Sequence, residues 1–375
     1  MIIYGALLIP LIVAFVLYKY FNRNVIWWEF FIPLAASLLF TFIMKFTIEK
    51  VQVSSKEYWG SLVDRVEYYE PWNEYIHQTC TRSCCCDSKG QNCSTETYDC
   101  SYVAYHSAYW QIVSTNGEVV GISESEYNKI KQKFNNEQFA ELNRNYYTQD
   151  GDEYYSKWAN DSATAIPVTT LHHYENRVKA ADQSVFHFEE VSKADIKKYS
   201  LKSYPEITGY YKMPAVIGDS SEDALIADKK FQYTNGLLGH KKQVRIFVLI
   251  FKNQPIDAGL YQEWYWSGAN MNEFVICIGI DKERNVKWCK PISWTPSETL
   301  KAEVKNFVQS QTKLNLQAVA DYTQMQVDKE FVRRSFKEFN YLTVEPPMWA
   351  VILTYLLTIL INVGLSYWII RNDFE

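Results

Sequence analysis

The 375-residue sequence has no long run of basic residues, and its formal net charge is −5. It therefore offers no electrostatic footprint for a nucleic-acid backbone. It also has no internal repeat and no low-complexity tract, which excludes solenoid and disordered architectures. No nucleophile elbow, phosphate-binding Walker loop, dinucleotide fingerprint or HExxH helix occurs. Catalytic groups can still be assembled in space from distant segments, so these absences lower the case for an enzyme without removing it. The eight cysteines lack the paired C-x-x-C spacing typical of zinc sites.

Charge is itself missing from three stretches, and these carry the first positive signal. They are "IIYGALLIPLIVAFVLY" (Ile2 to Tyr18), "VIWWEFFIPLAASLLFTFIM" (Val25 to Met44) and "MWAVILTYLLTILINVGLSYWII" (Met348 to Ile370). A helix crosses the hydrocarbon core with about 20 apolar residues. The second and third stretches reach that length, and the first is near the lower limit. No small-residue cleavage site follows the first, so it reads as a retained span rather than a signal peptide. Trp27, Trp28, Trp349 and Trp368 suit interfacial anchoring, and Glu29, near a span end, reads as interfacial. Lys19, Arg23 and Arg371 place the first loop and the C-terminal tail in the cytoplasm. Lys45 and Lys50 pull the other way. The expected division is two spanning helices (1–49), a Cys-rich mixed region (50–240), a sheet-and-helix region (241–346) and a last spanning helix with a short tail (347–375). The expected class is a membrane-anchored α+β or α/β protein, integral to the cytoplasmic membrane. Its main domain would face the periplasm or cell exterior.

All eight cysteines fall in that external segment, where an oxidising compartment permits disulfides. Cys84, Cys85 and Cys86 are consecutive. Their Cα atoms, about 3.8 Å apart, are too close for an unstrained bond among themselves. Each would pair instead with Cys80, Cys93, Cys100 or a more distant partner. A metal site using His77 or His106, or a reactive thiol cluster, is the alternative to such a stapled loop. For the two remaining cysteines, "DKERN" reads as a hairpin connection. Counting outward from it sets Cys277 opposite Cys289 on antiparallel strands, within bonding reach.

Local patterns fill in the rest. "VSSKEYWGSLVDRVEYYEPWNEYIHQ" reads as a membrane-proximal stalk, helical or mixed. "YWQIVSTNGEVVGIS" reads as a hairpin turning at Asn116-Gly117. Ser123 with Glu126 forms a capping box ahead of a helix. Asp150, Asp152 and Glu153 read as a solvated acidic turn. His172 and His173 could, with Glu175, bind a metal or shuttle protons, but read more plainly as two histidines on a polar segment. Buried strands are expected at Val244 to Phe251, Glu273 to Ile280 and Val286 to Trp294. Helices follow, one capped by Ser297 and another at roughly 314–339.

Two resemblances rest on quoted residues. "DCSYVAYHSAYW", "HHYENRV" and "YQEWYWSGANMNEFVICIGID" are similar to uncharacterised membrane-anchored proteins of bacteria and their phages. The element order from Gln243 to about Gln311 resembles the TPM domain, a membrane-anchored envelope domain. That likeness implies an α/β fold and phosphatase or calcium chemistry. The glycine pair usual after its third strand is absent, "KWCKPISW" standing there instead, so no catalytic or metal residue is carried over.

In "YQEWYWSGANMNEF" an extended backbone would alternate its aromatic residues between two faces, ahead of a polar turn. Tyr261, Glu263, Trp264, Trp266, Asn270, Asn272 and Glu273 are the candidate ligand-binding residues, the aromatic row to stack on a sugar or a base and Asn270, Asn272 and Glu273 to contact a ligand or a hard cation through oxygen. The combined expectation is an envelope protein that binds a protein or glycan partner and needs no cofactor. The alternatives are a tethered TPM-like hydrolase or a subunit of a membrane complex packed through Tyr18, Asn362, Gly364 and Ser366. A membrane-impermeant thiol probe or a protease applied from outside is expected to reach residues 80–100 in intact cells. Reaction only after inner-membrane lysis would reverse the topology.

Overall fold

The computed structural model describes residues 2–20, 27–84, 94–134, 136–143, 149–150, 152–159, 166–181, 186, 188–210 and 212–371. In chain order, a 3-10 turn leads into α1 (Ile9–Tyr20), then α2 (Trp27–Val53), β1 (Ser54–Tyr69), β2 (Trp72–Ile76), β3 (Thr79–Cys84), β4 (Ser94–Asp99) and β5 (Tyr102–His106). Next come β6 (Tyr109–Ser114), β7 (Val119–Ile122), α3 (Glu124–Lys131), β8 (Asn136–Asn143), β9 (Gln149–Asp150), β10 (Asp152–Ala159) and β11 (Pro167–Glu175). The chain continues through α4 (Arg177–Ala180), α5 (Lys193–Lys198), β12 (Val216–Ile217), α6 (Glu222–Lys242), β13 (Arg245–Lys252), α7 (Asp257–Tyr265) and β14 (Glu273–Ile280). It closes with β15 (Val286–Ser293), α8 (Glu298–Ser310), α9 (Leu316–Glu330) and α10 (Met348–Arg371). The fold is mixed α+β.

Two compact units are present, and neither is one consecutive segment. The first comprises residues 1–57, 173–189 and 335–375. It holds three helical stretches long and apolar enough to cross a membrane, Ile2–Lys19, Glu29–Val53 and Met348–Ile369. Leu38, Phe42, Phe46, Ile352, Leu356 and Leu360 point outward, as lipid-facing side chains would. Ile3, Ile48, Ala350 and Val351 pack inward. Lys45, whose charge pulled against the expected topology, donates to the Tyr4 hydroxyl at 2.9 Å. At the end of α2, Arg177 pairs with Glu49 at 2.8 Å and donates to the Leu342 carbonyl at 3.3 Å.

The second unit contains both larger sheets. One has six strands, ordered β7-β6-β1-β10-β8 with β11 also paired to β1. The expected stalk is therefore strand: "EYWGSLVDRVEYY" lies within β1, where Leu62, Val63 and Val66 are buried. Its Trp and Tyr residues suit a pleated, half-buried surface better than a helix. The hairpin at Asn116-Gly117 is present, with Gly117 at φ +83°. The Ser123–Glu126 capping box is complete.

The other sheet is ordered β12-β13-β14-β15, with the first three parallel and β15 antiparallel. β13 is buried on both faces, which explains its continuous apolar run. Ile246, Val248 and Ile250 meet α6, α8 and α9, while Phe247, Leu249 and Phe251 meet α7 and the segment around Leu201 and Met213. Parallel β13 and β14 require a crossover. Tyr261 to Tyr265, expected to be extended, accordingly belong to helix α7. The expected strand at 273–280 is β14 to the residue, and Ser297 caps α8.

The two sheets are joined by backbone touching backbone. A Cβ on Gly60 of β1 would sit 2.1 Å from the Asn235 carbonyl oxygen of α6. One on Gly239 would sit 2.3 Å from the Gly60 oxygen. Asn235 donates from Nδ2 to the Ile246 carbonyl at 3.0 Å and accepts the Ile246 N–H at 2.7 Å. It thereby serves as a strand partner on the part of β13 that two-residue β12 does not reach.

Cysteine chemistry divides. Cys80 and Cys100 form a disulfide at the base of the β3–β4 hairpin. Cys85, Cys86 and Cys93 lie outside the described residues, as do the side chains of Cys84, Asp150, Asp152 and Glu153. The expected Cys277–Cys289 pairing is overturned: both are free and buried. Ile280 faces Val286 as counted, but a bulge then sets Gly279 against Trp288 and Ile278 against Cys289. Lys287 is the extra residue, and one extra residue turns a side chain to the other face. Cys277 consequently lies in the core beside α7 and Cys289 in the core beside α8.

Gly60→Ala and Gly239→Ala are each expected to destabilise the protein by about 3 kcal/mol or more, because backbone cannot yield as a side-chain tip can. Urea unfolding followed by tryptophan fluorescence measures this. Gly121→Ala, where a Cβ meets nothing within 4 Å, is the control.

Candidate functional site

An open cavity of about 410 Å3 is lined by Glu118, Val119, Val120 and Gly121 on one side and Thr169, Thr170, Leu171 and His172 on the other. The strand period of two puts Thr170 and His172 on the same side of β11. Glu118 ends the tight turn before β7. The Thr170 hydroxyl donates to Glu118 Oε2 at 2.5 Å. His172 Nε2 lies 3.0 Å from Glu118 Oε1 and 2.9 Å from Thr170 Oγ1. The His172 ring stacks on Trp59 at 4.0 Å, and the Arg333 guanidinium lies over Trp59 at 5.8 Å.

This arrangement resembles a hydroxyl–imidazole–carboxylate triad in composition but not in wiring. A triad histidine uses one ring nitrogen toward the nucleophile and the other toward the carboxylate. Here Nε2 meets both groups. With Nε2 carrying its proton to Glu118, it cannot accept the Thr170 proton, and that proton is already committed to Glu118. The consistent state is a carboxylate held by two donors, with further lone pairs on Glu118 and Thr170. Such a cavity offers hydrogen-bond acceptors and negative charge.

Behind the cavity, Thr169 accepts from Arg245 Nη1 at 2.8 Å, and Arg245 Nη2 donates to the Met213 carbonyl at 3.2 Å. Arg245 is fully buried, and burial pulls its guanidinium down to about 10. Glu273, also fully buried, is pushed above the usual carboxylate range by burial, although three hydrogen bonds oppose the shift. Its donors are the Tyr204 hydroxyl, the Asn270 N–H at 2.9 Å and the Asn270 amide at 2.7 Å.

Of the candidate residues of the 261–273 segment, Trp266, Asn270 and Glu273 meet around Tyr204, and the others point elsewhere. Tyr261 stacks on Tyr199 at 4.3 Å and meets Trp264 at 5.0 Å. Glu263 pairs with Lys290 at 2.8 Å. Trp266 donates from its indole to the Lys202 carbonyl at 2.8 Å. Asn272 and Glu273 have no exposed surface, and Asn272 donates to the Tyr58 carbonyl at 2.9 Å. Tyr261 and Trp266 pack against the core beside α7. Of the two adjacent histidines, His172 belongs to the cavity, and its carboxylate is Glu118 rather than Glu175. Among the described residues, no group of three or more His, Cys, Asp or Glu is arranged to hold a metal ion.

A second polar cluster closes the carboxyl ends of β12 and β13. Asp219 accepts from Lys252 at 2.9 Å, Arg284 at 2.5 Å and the Ser221 hydroxyl at 2.9 Å. Burial works against its ionisation, but these three donors outweigh burial and hold the carboxyl well below its usual value of 3.8. No protein family, curated protein or solved structure matches this chain.

A carboxyl held below its unfolded value contributes stability above that value and loses it as pH falls. Acid unfolding of the wild type is therefore expected to steepen below about pH 4, and Asp219→Asn to flatten that limb. At pH 7 the variant is expected to be less stable by about 1–3 kcal/mol, since Lys252 is half-exposed and partly screened. Unfolding monitored by circular dichroism from pH 2 to 7 checks both.

Proposed function

We propose that this chain is a membrane-anchored envelope protein whose main domain, outside the cytoplasmic membrane, binds a protein or glycan partner through the Glu118–Thr170–His172 cavity. The carrying observation is the carboxylate facing an open cavity with both oxygens oriented by fixed donors. A preorganised acceptor of this kind favours ligands rich in donors, such as sugar hydroxyls or a lysine ammonium. Trp59 stiffens the site by stacking on His172 and restricting its ring. Three apolar helices support the anchor, and the Cys80–Cys100 disulfide supports an oxidising exterior. Binding fits better than hydrolysis, because the Thr170 hydroxyl and Glu118 share one imidazole nitrogen and leave no general base aimed at a nucleophile.

A glycan array and an oligolysine peptide, each presented to the purified protein, test this reading. One of the two classes is expected to bind, and Glu118→Gln to weaken that binding about tenfold or more. Equal binding by Glu118→Gln, or binding of neither class, contradicts the proposal.

A further inference from the structure

Strand β7 ends its sheet, paired to β6 and to no other described strand. At the turn before it, the Ser114 N–H donates to the Glu118 carbonyl at 2.9 Å. Antiparallel ladders alternate bonded and non-bonded pairs. Ile112–Val120 is therefore the next bonded pair, while Val113–Val119 and Gln111–Gly121 are non-bonded. The N–H and C=O groups of Val119 and Gly121 accordingly point away from β6. Among the described residues, no backbone bond from outside the hairpin reaches either one. Such an edge is a ready template for another chain.

Gly121 marks the same edge for a second reason. Glycine inside a strand weakens it, and it commonly signals a bulge or the close approach of another backbone. β6 and β7 pair without a register shift, and Gly121 is not among the residues with positive φ. Gly60 and Gly239 are pressed against backbone, but a Cβ on Gly121 would meet nothing within 4 Å. Nothing in the described chain requires glycine at this position, and the space beside it is open. Glu118, next to Val119 in the chain, lines the same cavity as Val119, Val120 and Gly121, with β11 across it.

We propose that the open edge of β7 binds an extended peptide by adding a strand to the sheet, with a lysine of that peptide placed on Glu118. The main chain of Val119 and Gly121 supplies two donors and two acceptors whatever the peptide's sequence, and the carboxylate supplies selectivity for a cationic side chain. Alternate side chains of an extended peptide share a face. A lysine at every second position therefore offers its ammonium to Glu118 in more than one register. A glycan backbone has no amide to match this edge. Glu118 is here the same binding group as in the function proposed above, on which this assignment rests, and the occupant is narrowed to a peptide.

The test uses the full chain in lipid nanodiscs and two capped peptides of alternating lysine and threonine, one of them N-methylated at every amide. Both carry the same charge, but only the first has main-chain N–H groups. Calorimetric titration is expected to show the first peptide binding, and the methylated one about tenfold or more weakly. Gly121→Pro removes an outward N–H without touching the β6 ladder. It is expected to keep the wild-type circular dichroism and to bind the first peptide about fivefold or more weakly. Equal affinity for the two peptides overturns strand addition and leaves Glu118 as a binding group. A glycan bound through Glu118, with neither peptide bound, does the same. Folded Gly121→Pro that binds like the wild type also overturns it. Absence of all binding, peptide and glycan, overturns both this assignment and the function on which it rests. Should Gly121→Pro not fold, the pair of peptides decides alone.

Discussion

The larger unit depends on a contact in which no side chain takes part. Gly60 of β1 lies directly on Asn235, Gly236 and Gly239 of α6. The six-stranded sheet and the parallel sheet thereby share one strand-on-helix junction at backbone distance. Only glycine allows such an approach, and the same residue of α6, Asn235, stands in through its side chain for a missing strand beside β13. The same junction carries β1 past β11, so the cavity wall at Thr169 to His172 takes its position from it. Arg245 reinforces the arrangement from within, bonding Thr169 of one sheet while belonging to the other.

Much of the parallel sheet was legible. β14 reads as an unbroken apolar run because it is buried on both faces, and the Ser123 and Ser297 caps read directly from residue type. β1 was not legible, since its Trp, Tyr and charged residues alternate imperfectly over sixteen residues and the strand is bulged at Val63 to Arg65. α7 was misread because "YQEWYW" alternates polar and aromatic residues, while Ala258, Tyr261, Gln262 and Tyr265 also satisfy helical spacing. The crossover between parallel strands decides between the two periods. The cavity was half legible. "TTLHH" places Thr170 and His172 on one side of a strand, but Glu118 arrives from a turn more than fifty residues away, a juxtaposition no local pattern encodes.

The two polar centres of the larger unit differ in what they leave open. Around Asp219, every charge is answered internally by Lys252, Arg284 and Ser221, so the cluster locks the α6 entry to the strand ends. Around Glu118 the donors hold the carboxylate without filling the space before it. Burial separates Arg245 and Glu273 still further from solvent, and their hydrogen bonds run to backbone, Thr169, Tyr204 and Asn270. Polar groups thus serve as cement where they are enclosed and as a receptive surface where they are not.

The bulge at Lys287 has a consequence for how the chain matures. Eight thiols that could all meet would present 105 possible pairings during oxidation, whereas six present 15. By turning Cys277 and Cys289 into opposite cores, the extra residue removes both from that search once the sheet has closed. Burial also pushes Cys289 up to about 12 and Cys277 well above its usual value, so neither supplies thiolate to attack a neighbouring bond. In the folded chain neither thiol is therefore placed to compete with the Cys80–Cys100 link.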